Sequence, residues 1–181
     1  MSRLTTMSPA ALRAVFSPDA DADLYFLLTI YDPQDPTQVV ARLSDGFYSD
    51  PITGVATRIV ETADEVVYGV RSRNNDFVFL PMEITLPSEN EAQAPRCTLT
   101  LNDVTRYVTP LIRSINGPPK VLMELVLSTT PNVVEASFSG FYISSITYNA
   151  NTVSAELSMI DYEREPFPQH SFSPKYFPGL F

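Results

Sequence analysis

Apolar and polar residues alternate with a period of two over much of this chain, the pattern of strands with one buried face. The alternation is cleanest at residues 152–160, where Val153, Ala155, Leu157 and Met159 fall on one side and Thr152, Ser154, Glu156 and Ser158 on the other. Just upstream, Val134, Ala136, Phe138, Tyr142 and Ile146 share one register, and Asn149-Ala150-Asn151 between the two runs has hairpin-turn composition. Residues 120–127 carry Val121, Met123, Leu125 and Leu127 on one face but Leu122 and Val126 on the other, so cover on both sides is expected. Further strands are expected at 25–31, 39–43, 55–60, 65–70, 77–86 and 96–101. Pro81 makes the run at 77–86 an edge or bulged strand, because it has no amide to donate to a ladder. Short strands with turn residues between them predict a mainly β chain, a sandwich or a barrel.

Two segments break the pattern with helical spacing. Ser8-Pro9 before Ala-Ala-Leu-Arg-Ala-Val-Phe predicts a short helix with Ser8 as N-cap and Pro9 in the first turn. At 102–115, Val104, Val108, Leu111, Ile112 and Ile115 form an apolar stripe behind Asn102 as N-cap. Pro110 kinks that helix or delays its start past Thr109, and Gly117-Pro118-Pro119 ends it.

Residues 165–181 follow neither period. Pro166, Pro168, Pro174 and Pro178 forbid a helix or a central strand, while Phe167, Phe172, Tyr176, Phe177 and Phe181 are too many aromatics for a solvated tail. An extended segment docked on an apolar surface is expected, each buried Phe contributing roughly 1.5–3 kcal/mol. The chain therefore divides into an N-terminal helix and linker (1–23), a β body (24–164) and the docking segment (165–181). The body is either one unit or two β modules meeting near the acidic loop at 87–95.

Composition narrows the classes of function. With 21 acidic against 12 basic residues the net charge is −9, which disfavours affinity for phosphate backbones. No apolar run reaches the length of a membrane helix, and MSRLTTMSPAALRAVF lacks the apolar core of a secretory signal. A single cysteine and a single histidine exclude disulfides within the chain and multi-Cys/His metal sites.

Little in the sequence points to catalysis. Asp19, Asp21 and Asp23 open like an EF-hand loop, but Leu24 and Ile30 stand where its glycine and glutamate belong. Cys97 shares the apolar face of its strand with Leu99 and Leu101, and His170 lies far away in the C-terminal segment, so the pair is not read as nucleophile and base. Glu61/Asp64 and Asp161/Glu163 are read as solvated faces rather than a glycosidase dyad, and Phe141-Tyr142 as core packing rather than a sugar platform. No catalytic, cofactor or metal residue is assigned.

An ordered series of short strings carries a family resemblance: Leu80-Pro81-Met82-Glu83-Ile84-Thr85-Leu86-Pro87, Asn102-Asp103-Val104-Thr105-Arg106, Gly117-Pro118-Pro119, Glu165-Pro166-Phe167-Pro168 and the closing Phe177-Pro178-Gly179-Leu180-Phe181. The second half of the chain resembles a family of small tailed-phage proteins described as a domain of unknown function (DUF1833), which is similar to the N-terminal part of the lambda minor tail protein L. That protein runs on into a cysteine-rich iron–sulfur region; this chain has one cysteine, so no cluster is carried over. The resemblance implies a β-barrel or sandwich of tail-tube or distal-tail type, without enzymatic activity. It implies a subunit of a threefold or sixfold ring in the virion tail tip, between the tube end and the receptor-binding hub. The implied partners are other copies, the tail tube or distal tail protein and the central hub, with genomic DNA passing unbound. Synthesis in the host cytoplasm precedes assembly. A tail-associated hydrolase and a carbohydrate-binding module for host recognition are the competing readings.

Overall fold

The computed structural model describes residues 7–17, 22–47, 58–61, 66–85, 96–102, 110, 113–149, 152–159 and 179, with backbone alone for 58–61 and 66. The described residues are mainly β, as the pattern predicts, and the expected N-terminal helix is present as α1 (Pro9–Phe16). Ser8 caps α1, its Oγ accepting from the Ala11 amide at 3.2 Å, and Pro9 occupies the first turn. The strands are β1 (Leu24–Tyr31), β2 (Val39–Ser44), β3 (Arg58–Glu61), β4 (Val66–Ser72), β5 (Asn75–Phe79), β6 (Met82–Thr85), β7 (Arg96–Asn102), β8 (Lys120–Leu127), β9 (Thr130–Tyr148) and β10 (Thr152–Met159). They form one sheet in the order β3-β4-β5-β2-β1-β8-β9-β10-β7-β6. Every pairing is antiparallel except β2 with β5. Strands from before and after residues 86–95 are interleaved: β1 pairs with β8, and β6 with β7.

The strand expected at 77–86 is two strands, because the chain turns a corner at Leu80-Pro81. The Leu80 amide donates to the Ser44 carbonyl at 2.8 Å, continuing the β2–β5 ladder. One residue on, the Pro81 carbonyl accepts from Asn102 at 2.9 Å, opening the β6–β7 ladder. Proline has no donor to give but keeps its acceptor, so it fits where a strand changes partners. Through this corner the two ends of the run β2-β1-β8-β9-β10-β7 meet, and the sheet closes into a barrel. The main core fills it, with Leu28, Leu43, Leu80, Leu99, Met123, Phe141 and Leu157 all buried.

A second layer covers part of the barrel wall. The β4–β5 hairpin, whose turn residues Arg73 and Asn74 have φ of 50° and 63°, lays Val70 and Phe77 against Leu27 and Val126. Two consecutive positive-φ residues make the tight turn that matches strand twist. β1 and β8 are thereby buried on both faces, as the two-sided pattern of residues 120–127 predicts.

β9 does not keep the single register expected for it. Val121 faces Phe141 while Met123 faces Phe138, so β9 carries an extra residue there, next to Gly140 at φ 85°. A second extra residue falls at Ser144, between the Leu157–Ile143 and Glu156–Ser145 pairs. Each bulge moves the inward side to the other parity. Phe141 and Ile143 are therefore core residues and Tyr142 faces out, which corrects its assignment to the face of Ala136 and Phe138. Asn102, read as an N-cap, is the last residue of β7 and pairs with Thr152. Within the helix expected there, Pro110 and residues 113–114 are helical, and 103–109 lie outside the described residues.

Candidate functional site

Polar groups buried in the body are engaged in holding it together. Glu124, on the middle of β8, is 6% exposed and lies under the β4–β5 turn. The Arg73 guanidinium covers it in a bidentate pair, Nη1 to Oε1 at 3.0 Å and Nη2 to Oε2. Two more bonds fix the turn: Ser72 Oγ donates to the Pro131 carbonyl at 2.6 Å, and the Arg73 amide to Asn132 Oδ1 at 2.7 Å. The bond to Glu124 raises the Arg73 pKa above its ordinary value. The second layer is thus fastened to β8 and to the start of β9.

Glu135, the extra β9 residue between the Val126–Val134 and Leu125–Ala136 pairs, anchors α1. Its carboxylate accepts from the Ser8 amide at 2.8 Å and from Ser8 Oγ at 2.9 Å. Ala11 is the fully buried residue of α1 and Leu12 is half-buried, while Val15 and Phe16 are left outside. Phe16 is 71% exposed and Val15 45%. A helix pinned by a small residue and a carboxylate while its Val and Phe face water has the character of a docking element. Val133 and Tyr148 are also exposed, Tyr148 with the Arg113 guanidinium 5.1 Å from its ring centre.

Asp45 closes the β1–β2 end. Its Oδ1 accepts from the Phe26 amide at 2.7 Å, and burial pushes its pKa up to about 6 against that favourable bond. The Tyr25 ring lies on Gly46, where a Cβ would stand 2.2 Å from ring Cδ1. Burial first, then Asp23 and Asp45, raises the Tyr25 pKa.

Cys97 sits in the main core with Sγ 4.0 Å from Met123 Sδ, and burial pushes its thiol up to about 11. That is a packing environment, the opposite of what activates a thiolate. Above it, a shallow cavity of about 330 Å³ opens on the outer wall between Arg96, Thr98, Ser145, Glu156 and Ser158. No group of three His, Cys, Asp or Glu side chains is set to hold a metal among the described residues. No helix among them is long and apolar enough to cross a membrane.

The docking residues Phe167, Phe172, Tyr176, Phe177 and Phe181 lie outside the described residues, as do His170, Asp64, Asp161 and Glu163. Of the aspartates spaced like an EF-hand, only Asp23 is described; its amide donates to Ser128 Oγ at 3.0 Å. Sequence reasoning missed Arg73, Glu124 and Glu135. The one available signal for Glu124 was a charge inside a strand expected to be covered on both faces.

The family model described as Domain of unknown function (DUF1833) matches residues 50–172. No curated protein and no solved structure matches the chain.

Proposed function

The chain belongs to the DUF1833 family, and from that premise we propose that it is a structural, non-enzymatic subunit of a phage tail tip. In this reading, copies assemble into a ring between the end of the tail tube and the receptor-binding hub, and the protein resides in the virion. The family resemblance to the N-terminal part of the lambda minor tail protein L supplies the setting.

The observation that carries the reading is α1, held to the barrel by Ser8 and Glu135 while Val15 and Phe16 stand exposed. A firmly held apolar patch loses little ordering entropy when a partner covers it. The buried carboxylates support it further, because Glu124 and Glu135 are bound to Arg73 and Ser8. The closed barrel with an added β layer offers a rigid wall for neighbours on several sides.

Cryo-electron microscopy of virions from a phage encoding the chain tests the proposal. Ring density at the tail tip that accommodates the barrel is expected. Purified, infectious virions free of the protein would overturn it.

A further inference from the structure

The register aligns one row of outward side chains across five strands of the barrel wall. Tyr31 of β1 stands opposite Lys120 of β8, and Lys120 opposite Tyr142 of β9. Tyr142 stands opposite Ser158 of β10, and Ser158 opposite Arg96 of β7. Their chain neighbours Ile30, Val121, Phe141, Leu157 and Cys97 all belong to the main core. With a side-chain period of two, the five row residues point away from that core. At about 4.8 Å per strand the row is ~19 Å long.

The row is cationic, and no described residue forms an ion pair with its cations. Lys120 and Arg96 are exposed, and Tyr31 and Tyr142 half-buried. Beyond Tyr31, Arg42 stands opposite Thr29 on the same outward face. There it lines a groove of about 150 Å³ with Tyr31 and Arg73. Among the described residues, none forms an ion pair with Arg42, Lys120 or Arg96, and the ion pairs present are Arg71–Asp76 and Arg73–Glu124. Among the described residues, Glu124, already held by Arg73, and Glu156, two residues from Ser158 on the same face of β10, border the row.

Three cations without an ion-pair partner among the described residues, and two tyrosines, stand in one band of a chain of net charge −9. Identical copies so charged repel each other unless their contact sets opposite signs together. We propose that this row receives an acidic surface of a second copy of the chain, with Tyr31 and Tyr142 packing beside the incoming carboxylates. The occupant follows from complementarity: the chain's own excess, 21 acidic against 12 basic residues, supplies the matching surface. A polynucleotide is the weaker fit, because the field of the remaining chain repels phosphate. Such a contact joins two different surfaces head to tail, and repeated it closes a ring or runs on as a filament. The inference rests on the ring-subunit reading and names the surface that would build the ring.

Sedimentation equilibrium of the full chain tests it between about 0.1 M and about 1 M salt, where the screening length falls from ~10 Å to ~3 Å. The expected result is self-association that weakens about tenfold or more across that range. The Arg96→Glu/Lys120→Glu double variant is expected to be monomeric at low salt with an unchanged melting temperature, both side chains being exposed. The same oligomer in the double variant would overturn the proposal and leave the ring reading standing, with another surface responsible. A wild-type chain that stays monomeric would also overturn it. So would a labelled single-stranded oligonucleotide bound by wild type and not by the variant without self-association, which gives the row to nucleic acid. Absence of the protein from tail tips removes the ring reading without touching a salt-dependent contact measured in solution.

Discussion

Glu124 shows how much one buried charge depends on its partner. The carboxylate is almost fully removed from water, whereas the Arg73 side chain above it stays 40% exposed. Arg73→Ala leaves that carboxylate uncompensated and is expected to destabilise the fold by about 2–4 kcal/mol, reduced from the fully buried case by Arg73's exposure. Urea denaturation reads the loss, and Arg73→Lys should recover only part of it because it lacks the planar fork. Asp45 makes the opposite case, with a folded pKa of about 6 against 3.8. Raised in this way, it favours the folded state while protonated, and that stability is lost as pH rises from about 4 through 6, by at most ~3 kcal/mol. Asp45→Asn keeps an oxygen to accept from the Phe26 amide and carries no charge. The variant should match wild type near pH 4 and exceed it near pH 7.5; an unchanged pH slope would refute this.

Among the elements, α1 and β9 depend most on single residues. Ser8 both caps the helix and satisfies Glu135, so Ser8→Ala removes two interactions at once. A loss of about 1–2 kcal/mol is expected, at the upper end for a cap. Increased protease cleavage within residues 9–17 would show that the helix has come off the barrel. In β9 the bulge beside Gly140 turns Phe141 into the core. Valine there would meet a φ of 85° and place its Cβ 3.2 Å from Met159 Cε. Gly140→Val should cost about 1–3 kcal/mol, most of it backbone strain, because the methionine tip can move aside. A lowered midpoint in thermal melting checks it.

For the whole molecule, charge and closure set the behaviour. The barrel closes through one bent stretch at Leu80-Pro81, and the β4–β5 layer leaves part of the wall open to neighbours. The segment 167–181, expected from its sequence to dock, belongs to this scale, since a surface covered by it would change what a copy presents to others. Deleting residues 172–181 removes Phe172, Tyr176, Phe177 and Phe181, whose burial would be worth roughly 1.5–3 kcal/mol for each Phe. Lost tail assembly or a poorly soluble subunit is expected on expression in place of the full chain. Normal infectious tails from the truncated gene would show that the segment docks nowhere that matters.

The strands, the capped helix and the two-sided burial of β8 were legible because each is written in neighbouring residues. Ser8-Pro9 is a local capping signal, and alternation from Val153 to Met159 needs no distant partner to be read. The bulges of β9 were not legible, since an extra residue is defined only against the strand beside it; Gly140 alone does not say on which side Tyr142 falls. Arg73 and Glu124 are 51 residues apart, and nothing in either segment names the other. Pro81 showed where a ladder must break, but only the closed barrel shows that the break is a corner joining β2 to β7. The row from Tyr31 to Arg96 is likewise a product of register. By itself the sequence determined which residues face a core wherever a strand runs without a bulge, through local periodicity. The tertiary structure decided which of the others stand side by side, because that depends on strand order, bulges and closure.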